Sequence, residues 1–260
     1  MSAAISIDEH DDIARVTLRN DAKLNALSFA MWQQLRAGIE RLAASPTLRC
    51  IHIRGAGEQA FSAGADISEF AEMRSTREQV VRFHEEGVGA CLTALLECPV
   101  PIVAEIRGAC MGGGLEIASA CDIRLADETA RFGAPVGRLG FPLAFAETQA
   151  VYNEVGPAVA AELLLEGRVF TAEEALARGL ITRLVPSGML AREVETTLAN
   201  VCKSGRWAAR SHKRQFRRLM QDPTPVSVTE RMEVYGFAET DEYRDGIRRF
   251  LARKQGSAGS

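Results

Sequence analysis

The chain has 260 residues, a formal net charge of −3 at pH 7 and 47% hydrophobic residues. This length allows one large domain or two small ones with a substantial core, and the composition excludes a disordered or nucleic-acid-coating protein. The longest apolar stretches, such as CPVPIVAEI (98–106), stop well short of the roughly 18 to 20 residues that span a bilayer, and the acidic N-terminus lacks the features of a secretory signal, so we expect a cytoplasmic location without membrane or nucleic-acid partners.

Cysteine and histidine usage argues against a metal site. The six cysteines contain no C-x-x-C pair, and the four histidines are scattered along the chain. Neither a zinc site nor a disulfide framework is indicated. We expect reduced and mostly buried thiols.

The first third of the chain predicts alternating strands and helices. Apolar and alternating runs predict strands at 13–19 and 50–55, and apolar residues at helical spacing predict a helix over 27–45 between them. Asp66 and Glu69 have the spacing of a capping box, which predicts a helix start and a longer helix through about residue 97.

The strand and helix unit repeats further along the chain. Strands are predicted at 101–108 and 123–127, a short strand or turn at 129–133, and a helix at 115–120. Two further helices are predicted over 147–156 and 158–167, each ending at a glycine. A helix followed by a strand is predicted within 173–185, and the chain is helical and basic from about residue 190. The sequence therefore predicts an α/β core with a helical C-terminal segment.

Two glycine loops bring backbone N–H groups to a helix start, AGAD (63–66) and GGGLE (112–116). Glycine lets the main chain approach a ligand closely, and the first N–H groups of a helix have no internal partner. Two such loops that converge would form an oxyanion hole. The alternatives are a tight strand-to-helix turn for the triplet and a helix-dipole partner for Glu116.

A competing motif lies at 55–60, where GAGEQA follows a strand and matches the dinucleotide pattern G-x-G-x-x-A. A dinucleotide-binding helix should open directly at that loop, but the next residues, FSAGAD, contain another glycine and a new helix cap. The sequence therefore disfavours a nicotinamide cofactor.

Taken together, the motifs resemble the crotonase superfamily, also called the enoyl-CoA hydratase/isomerase family. The similar segments are KLNALS (23–28), FSAGADI (61–67), RGACMGGGLEIASACDIRLAD (107–127), RFGAP (131–135), TAEEALARGLITRLVP (171–186) and FAETDEYRDGIRRFLARK (237–254). The resemblance implies a crotonase-type α/β spiral of repeated ββα units over 1–190, a helical region over 191–254 that helps form trimers, and a flexible tail over 255–260.

The resemblance also implies an acyl-CoA thioester substrate, no separate cofactor, and a homotrimer or a hexamer made of two trimers. Matched position by position, it places the two oxyanion-hole donors at Ala65 and Gly113 and a catalytic carboxylate at Glu116. One such donor is worth roughly 3 to 4 kcal/mol when a thioester enolate forms.

The CoA contacts implied by the resemblance fall on Lys23, Ala63, Asp66 and Ile67. Lys23 is either a phosphate contact or a solvated surface lysine. Many relatives carry a lysine near the adenine where this chain has Ser68. A further basic residue, Arg253, lies near the position that reaches a neighbouring subunit's CoA.

The chain departs from the family pattern at the second catalytic glutamate. A standard hydratase holds its water between two glutamates, and the second position is Val136 here. Loss of a general acid or base typically costs about 10² to 10⁴ in rate. In the next loop Glu147 is either a helix-dipole partner or a relocated second carboxylate. The apolar neighbours Phe141, Leu143 and Phe145 would raise the pKa of such a carboxyl group and suit it to acid catalysis.

Three functions stay open on the sequence. The leading one is an enoyl-CoA hydratase, in which Glu116 activates water for addition at Cβ. The second is a reaction with one carboxylate, either enoyl-CoA isomerisation or acyl-CoA decarboxylation on the same scaffold. The third is a non-catalytic acyl-CoA-binding protein, motivated by Val136.

Overall fold

The structure is a computed structural model that describes residues 3–257, with side chains through Ala252. The side chain of Arg253 and residues 258–260 of the predicted tail lie outside the described residues. Within them the strands are β1 (Ala4–His10), β2 (Ile13–Arg19), β3 (Cys50–Gly55), β4 (Ala60–Ser62), β5 (Ile102–Ile106), β6 (Ala109–Met111), β7 (Ile123–Asp127), β8 (Arg131–Gly133), β9 (Val169–Thr171) and β10 (Arg183–Val185).

The α-helices are α1 (Phe29–Ala43), α2 (Phe70–Met73), α3 (Arg77–Val81), α4 (Ala90–Glu97), α5 (Gly113–Ser119), α6 (Phe145–Ala161), α7 (Ala172–Ala177), α8 (Leu190–Lys203), α9 (Arg206–Gln221), α10 (Val228–Val234) and α11 (Asp241–Ser257). A π-helical segment, Arg82–Gly89, joins α3 to α4, and a second one, Glu162–Glu166, continues α6.

The strands divide between two sheets in a regular way. A six-stranded sheet has the order β1-β2-β3-β5-β7-β10, and a four-stranded sheet has the order β4-β6-β8-β9. In the pairs β3/β4, β5/β6 and β7/β8 the first strand joins the larger sheet and the second joins the smaller one, and helices follow each pair. The predicted α/β architecture of repeated ββα units is therefore confirmed.

The core lies between the sheets and the helices that follow them. In α1, Ser28 caps the helix by accepting a bond from the Met31 N–H at 3.2 Å, and one face of the helix buries Trp32, Leu35 and Ile39. The helix α8 forms a second apolar cluster on the six-stranded sheet, with Leu190, Val194 and Leu198 among its buried residues. The first C-terminal helix is thereby tied to the sheet by apolar burial.

Several local expectations are wrong in detail. The Asp66–Glu69 capping box does not form, because Glu69 instead accepts a bond from the Phe29 N–H at 2.8 Å, while Asp66 accepts from the Ser68 N–H. By contrast, the two helices predicted over 147–156 and 158–167 do meet at a break, because Gly156, with a φ of 72°, is not helical, and the second one ends at Gly167 as expected. The last helix continues to Ser257, beyond the expected boundary at 254, through a stretch without proline.

The 55–60 segment forms a turn that leads into β4 rather than a helix. This agrees with the argument against a dinucleotide site. No helix among residues 3–257 combines the length and the apolar character needed to cross a membrane.

We predict that Gly114→Ala destabilises the protein by about 1 to 3 kcal/mol, because an added Cβ would lie 2.8 Å from the Ser62 carbonyl oxygen and 2.9 Å from its Cβ. The matched control is Gly246→Ala on α11, where a Cβ meets nothing within 4 Å and alanine is the better helix former. Urea unfolding of both variants checks this; equal midpoints for Gly114→Ala and the parent would contradict it.

Candidate active site

The two glycine loops leave neighbouring strands at the same edge of the smaller sheet. Strands β4 and β6 are parallel, with Ser62 paired to Cys110, so the loops that follow them begin side by side. They touch at Gly64 and Gly112, since a Cβ on Gly112 would lie 3.7 Å from the Gly64 Cα. Both glycines have positive φ, 101° and 47°, which favours glycine at these two turns.

Ala65 and Gly113, the predicted oxyanion-hole residues, each present a free backbone N–H. Ala65 pairs with Leu27 in an isolated parallel β-bridge whose hydrogen bonds do not use the Ala65 N–H. The Leu27 N–H donates to Gly64 O at 2.7 Å, and the Asp66 N–H donates to Leu27 O at 2.9 Å. Gly113 is the first residue of α5. Within the described part of the chain neither N–H has a hydrogen-bond acceptor, although the Gly112 N–H donates to Gly133 O at 2.8 Å.

Glu116 lies one turn into α5 and is buried, with 3% of its surface exposed. Its carboxyl group makes no hydrogen bond or ion pair to any residue from 3 to 257. Burial raises the pKa of Glu116 well above its ordinary value, the negative charge of Glu147 raises it further, and Arg74 partly opposes both effects. A buried carboxyl group without a hydrogen-bond donor favours its protonated form.

Glu147 lies within electrostatic range of Glu116 and is 2% exposed. One carboxyl oxygen is 2.5 Å from His84 Nδ1, and the other accepts a bond from the Ala144 N–H at 3.0 Å. Glu147 sits in the first turn of α6, as considered from the sequence, and its charge also acts on Glu116. Hydrogen bonds to both oxygens fix its orientation.

The expected apolar environment of Glu147 is partly wrong. Phe145 is 95% exposed and points to solvent, so it contributes nothing to the site. The aromatic wall comes instead from Phe70, Phe83 and Phe141, with the centroid of the Phe70 ring 6.2 Å from that of Phe83 and 6.0 Å from that of Phe141. The ring of Phe83 also contacts His84 at 5.4 Å.

Lys23 meets the 63–68 loop at its outer end. Its ammonium group donates to both carboxyl oxygens of Asp66, at 2.7 and 2.9 Å, and to Ser68 Oγ at 2.7 Å. Burial opposes ionisation of Asp66, but the bonds from Lys23 and Ser68 outweigh it and lower the pKa of Asp66 below its ordinary value. Ala63 and Ile67, the other predicted CoA contacts, are exposed on the same loop.

Val136 follows β8 and opens a 3₁₀ turn, Val136–Leu139. Its side chain carries no proton that could be transferred. The second carboxyl group found beside Glu116 therefore comes from Glu147 on α6 rather than from this position.

Two site residues have no counterpart among the sequence predictions, His84 and Arg74. His84 lies on the π-helical segment, a distortion that often marks functional sites. Arg74 lies in the break between α2 and α3, with its guanidinium carbon 4.2 Å from the ring centroids of both Phe70 and Phe141. The segment 70–83 contains two phenylalanines and three arginines, but this composition could not show which rings would meet or which arginine would contact them.

Known proteins are similar to this chain over almost its entire length. The sequence family described as enoyl-CoA hydratase/isomerase matches residues 8–257. A short-chain-enoyl-CoA hydratase of Clostridium acetobutylicum is 28% identical over 252 residues, which cover 96% of this chain and 95% of that protein. A crotonyl-CoA hydratase of Syntrophomonas wolfei is also 28% identical, with 96% of each chain covered.

Solved structures agree with these sequence matches. The crystal structure of an "enoyl-CoA hydratase/carnithine racemase" from Magnetospirillum magneticum superposes with a TM-score of 0.93 at 38% identity, and the match covers 97% of this chain and 94% of that one. The crotonase-type fold implied by the resemblance is thereby confirmed. With the family match spanning residues 8–257, the chain belongs to the enoyl-CoA hydratase/isomerase family.

Proposed function

We propose that the protein is an enoyl-CoA hydratase, which adds water across the 2,3 double bond of an enoyl-CoA thioester. The observation that carries this proposal is the combination of two free N–H groups, at Ala65 and Gly113, with two buried carboxyl groups, Glu116 and Glu147. The hydratases similar to this chain support the same reaction class. CoA enters as part of the substrate, so no separate cofactor is needed.

In this mechanism the thioester oxygen accepts hydrogen bonds from the N–H groups of Ala65 and Gly113. Glu116 takes a proton from water while the water oxygen bonds to Cβ, and the electrons of the double bond move toward the thioester oxygen as an enolate. The enolate then takes the proton back from Glu116 at Cα. A pKa raised toward the working pH suits a group that must both accept and return a proton.

Glu147 serves as the relocated second carboxylate. His84 hydrogen-bonds one carboxylate oxygen of Glu147, and the Ala144 N–H hydrogen-bonds the other. Each of these oxygens can accept a further hydrogen bond. The remaining capacity can hold the attacking water beside Glu116, as the second glutamate does in a standard hydratase. The free N–H groups act as a preorganised oxyanion hole, which costs no reorganisation during the reaction.

One observation favours a second function, enoyl-CoA isomerisation. Both oxygens of Glu147 are engaged by the protein, whereas the carboxyl group of Glu116 has no hydrogen-bond partner between residues 3 and 257. A single free carboxyl group can move a proton between Cα and the γ-carbon. Parallel assays with crotonyl-CoA and with a 3-enoyl-CoA distinguish the two reactions. Binding of both thioesters without turnover would support the non-catalytic alternative.

We predict that Glu116→Gln lowers kcat for hydration of crotonyl-CoA by about 10² to 10⁴, because the amide cannot accept the proton of water. Glu72→Gln is the matched control, since Glu72 is an exposed carboxylate on the nearby helix α2. Steady-state rates for both variants test this. Retention of parental kcat by Glu116→Gln would remove Glu116 from the mechanism.

We predict that Glu147→Gln lowers kcat/KM by about 10-fold or more and moves the acid limb of the pH profile to lower pH. The sign follows from the charge: the anion of Glu147 raises the pKa of Glu116, so its removal lowers that pKa. His84→Ala should lower the rate, and His84→Asn, which keeps a donor, should recover part of it. An acid limb that stays in place, or moves upward, in Glu147→Gln contradicts the pairing of the two carboxyl groups.

CoA binding at the outer end of the 63–68 loop completes the proposal. Lys23 is held by Asp66 with 46% of its side chain exposed, and Ile67 is 65% exposed. Lys23 thus supplies a cation for the phosphates of a nucleotide, and Ile67 supplies an apolar surface on the same loop. The contacts of Lys23, Ala63, Asp66 and Ile67 with CoA are part of the proposed function, as is the cytoplasmic location.

Assembly into a homotrimer or a hexamer of two trimers is supported by apolar side chains on the C-terminal helices. Exposed large hydrophobic residues on and between α9, α10 and α11 are Phe216, Leu219, Met220, Val226, Val228, Met232, Tyr235, Tyr243, Ile247, Phe250 and Leu251. Where exposed apolar side chains of this kind form a patch, they commonly mark a protein interface. We predict a trimeric or hexameric mass by sedimentation equilibrium at micromolar concentration, and a stable monomer would contradict it.

A further inference from the structure

Arg74 is held in the site by aromatic rings. Its guanidinium carbon lies 4.2 Å from the ring centroids of Phe70 and Phe141 and 5.2 Å from that of Phe83. All three distances are within the range of about 6 Å over which a ring face attracts a cation. The rings therefore fix the plane of the guanidinium group without using its hydrogen-bond donors.

Those donors have no acceptor among the described residues. A guanidinium group carries five N–H donors, and the side chain of Arg74 makes no hydrogen bond or ion pair within the part of the chain that the structure describes. The buried Arg124 contrasts with it, because its side chain donates to the carbonyl oxygens of Leu180 and Cys121 and pairs with Glu154. Burial lowers the pKa of Arg74, and the two nearby glutamates only oppose this effect.

The nearby carboxyl groups do not satisfy Arg74. Glu147 is bound by His84 and the Ala144 N–H, and burial favours the neutral form of Glu116. Both glutamates nevertheless interact electrostatically with Arg74, so the guanidinium group is close to the proposed reaction centre. The site thus contains a half-buried, oriented cation within electrostatic range of Glu116 and Glu147 and without an acceptor among the described residues.

We propose that Arg74 binds a carboxylate carried by the acyl group, so that the preferred substrate is a CoA monothioester of a dicarboxylic acid. This inference rests on the proposed function. A carboxylate can take two parallel N–H bonds from one guanidinium group, which is the geometry that arginine recognises best. Because the rings already hold the group in place, little side-chain entropy is lost when the ligand binds.

Binding of unreactive thioesters separates this inference from the reaction itself. Calorimetry compares glutaryl-CoA, which ends in a carboxylate, with valeryl-CoA, which has the same chain length and no charge. We expect the parent protein to bind glutaryl-CoA at least 10-fold more tightly. Arg74→Met should reduce the ratio of the two dissociation constants to near 1, and Arg74→Lys should retain part of it. Arg82→Met is the control, since Arg82 lies 5.6 Å from the Phe29 ring at an exposed position.

The alternative source of the anion is a CoA phosphate. In that case Arg74→Met would weaken both CoA thioesters equally and would not affect the corresponding pantetheine thioesters, a result that overturns the inference. Equal or weaker binding of glutaryl-CoA by the parent also overturns it, while leaving the proposed hydratase function intact. Binding of neither thioester by the parent protein would contradict the proposed function itself. Thermal unfolding of each variant shows whether a loss reflects misfolding, and Arg74→Gln provides a second neutral replacement.

Discussion

The parallel pairing of β4 with β6 determines the geometry of the site. Each strand is only three residues long, yet their pairing sets two glycine loops against each other and directs α5 away from the sheet edge. Gly114, the residue after the free N–H of Gly113, packs against the backbone of Ser62. This contact fixes the direction in which α5 begins. Glu116 follows on that helix. The two N–H groups and the carboxyl group therefore depend on one backbone contact, and any side chain at Gly114 would push them apart.

The two carboxyl groups occupy opposite environments although both are buried. Glu147 is hydrogen-bonded at both oxygens, which fixes its orientation. Glu116 receives none from the described residues, and burial raises its pKa. The two carboxyl groups therefore differ in their hydrogen bonding, which suits them to different roles in the proposed reaction. The chain thereby keeps a carboxyl pair in a site where Val136 occupies the usual position of the second glutamate.

The sequence predicted the features that depend on local patterns. The strand at 13–19, the helix of α1 and the loop before Glu116 follow from periodicity and glycine placement within short windows. Most of the smaller sheet was missed, because strands of three residues such as β4 and β6 are too short to show alternation. The predicted Asp66–Glu69 capping box does not form, because the Glu69 carboxylate accepts a hydrogen bond from the Phe29 N–H. Local spacing cannot reveal such a tertiary contact.

The composition of the site beyond Glu116 could be predicted only in part. His84 and Glu147 are 63 positions apart, and no spacing rule connects residues that distant. The same holds for Arg74, whose rings come from three separate segments. Phe145 was expected in the site because of its neighbours in the sequence, but the first turn of α6 directs it outward. Tertiary packing determined each of these positions.

The lack of a hydrogen-bond donor at Glu116 also has a thermodynamic consequence. A carboxyl group whose pKa is raised by folding binds its proton more tightly in the folded protein than in the unfolded chain, where the pKa is about 4.3. The folded state is therefore favoured below that pH, and this advantage is lost as the pH rises through the folded pKa. At the pH where the ionised glutamate can accept a proton, the fold carries a buried charge that Arg74 offsets only in part. Reactivity and conformational stability are thus opposed at a single side chain.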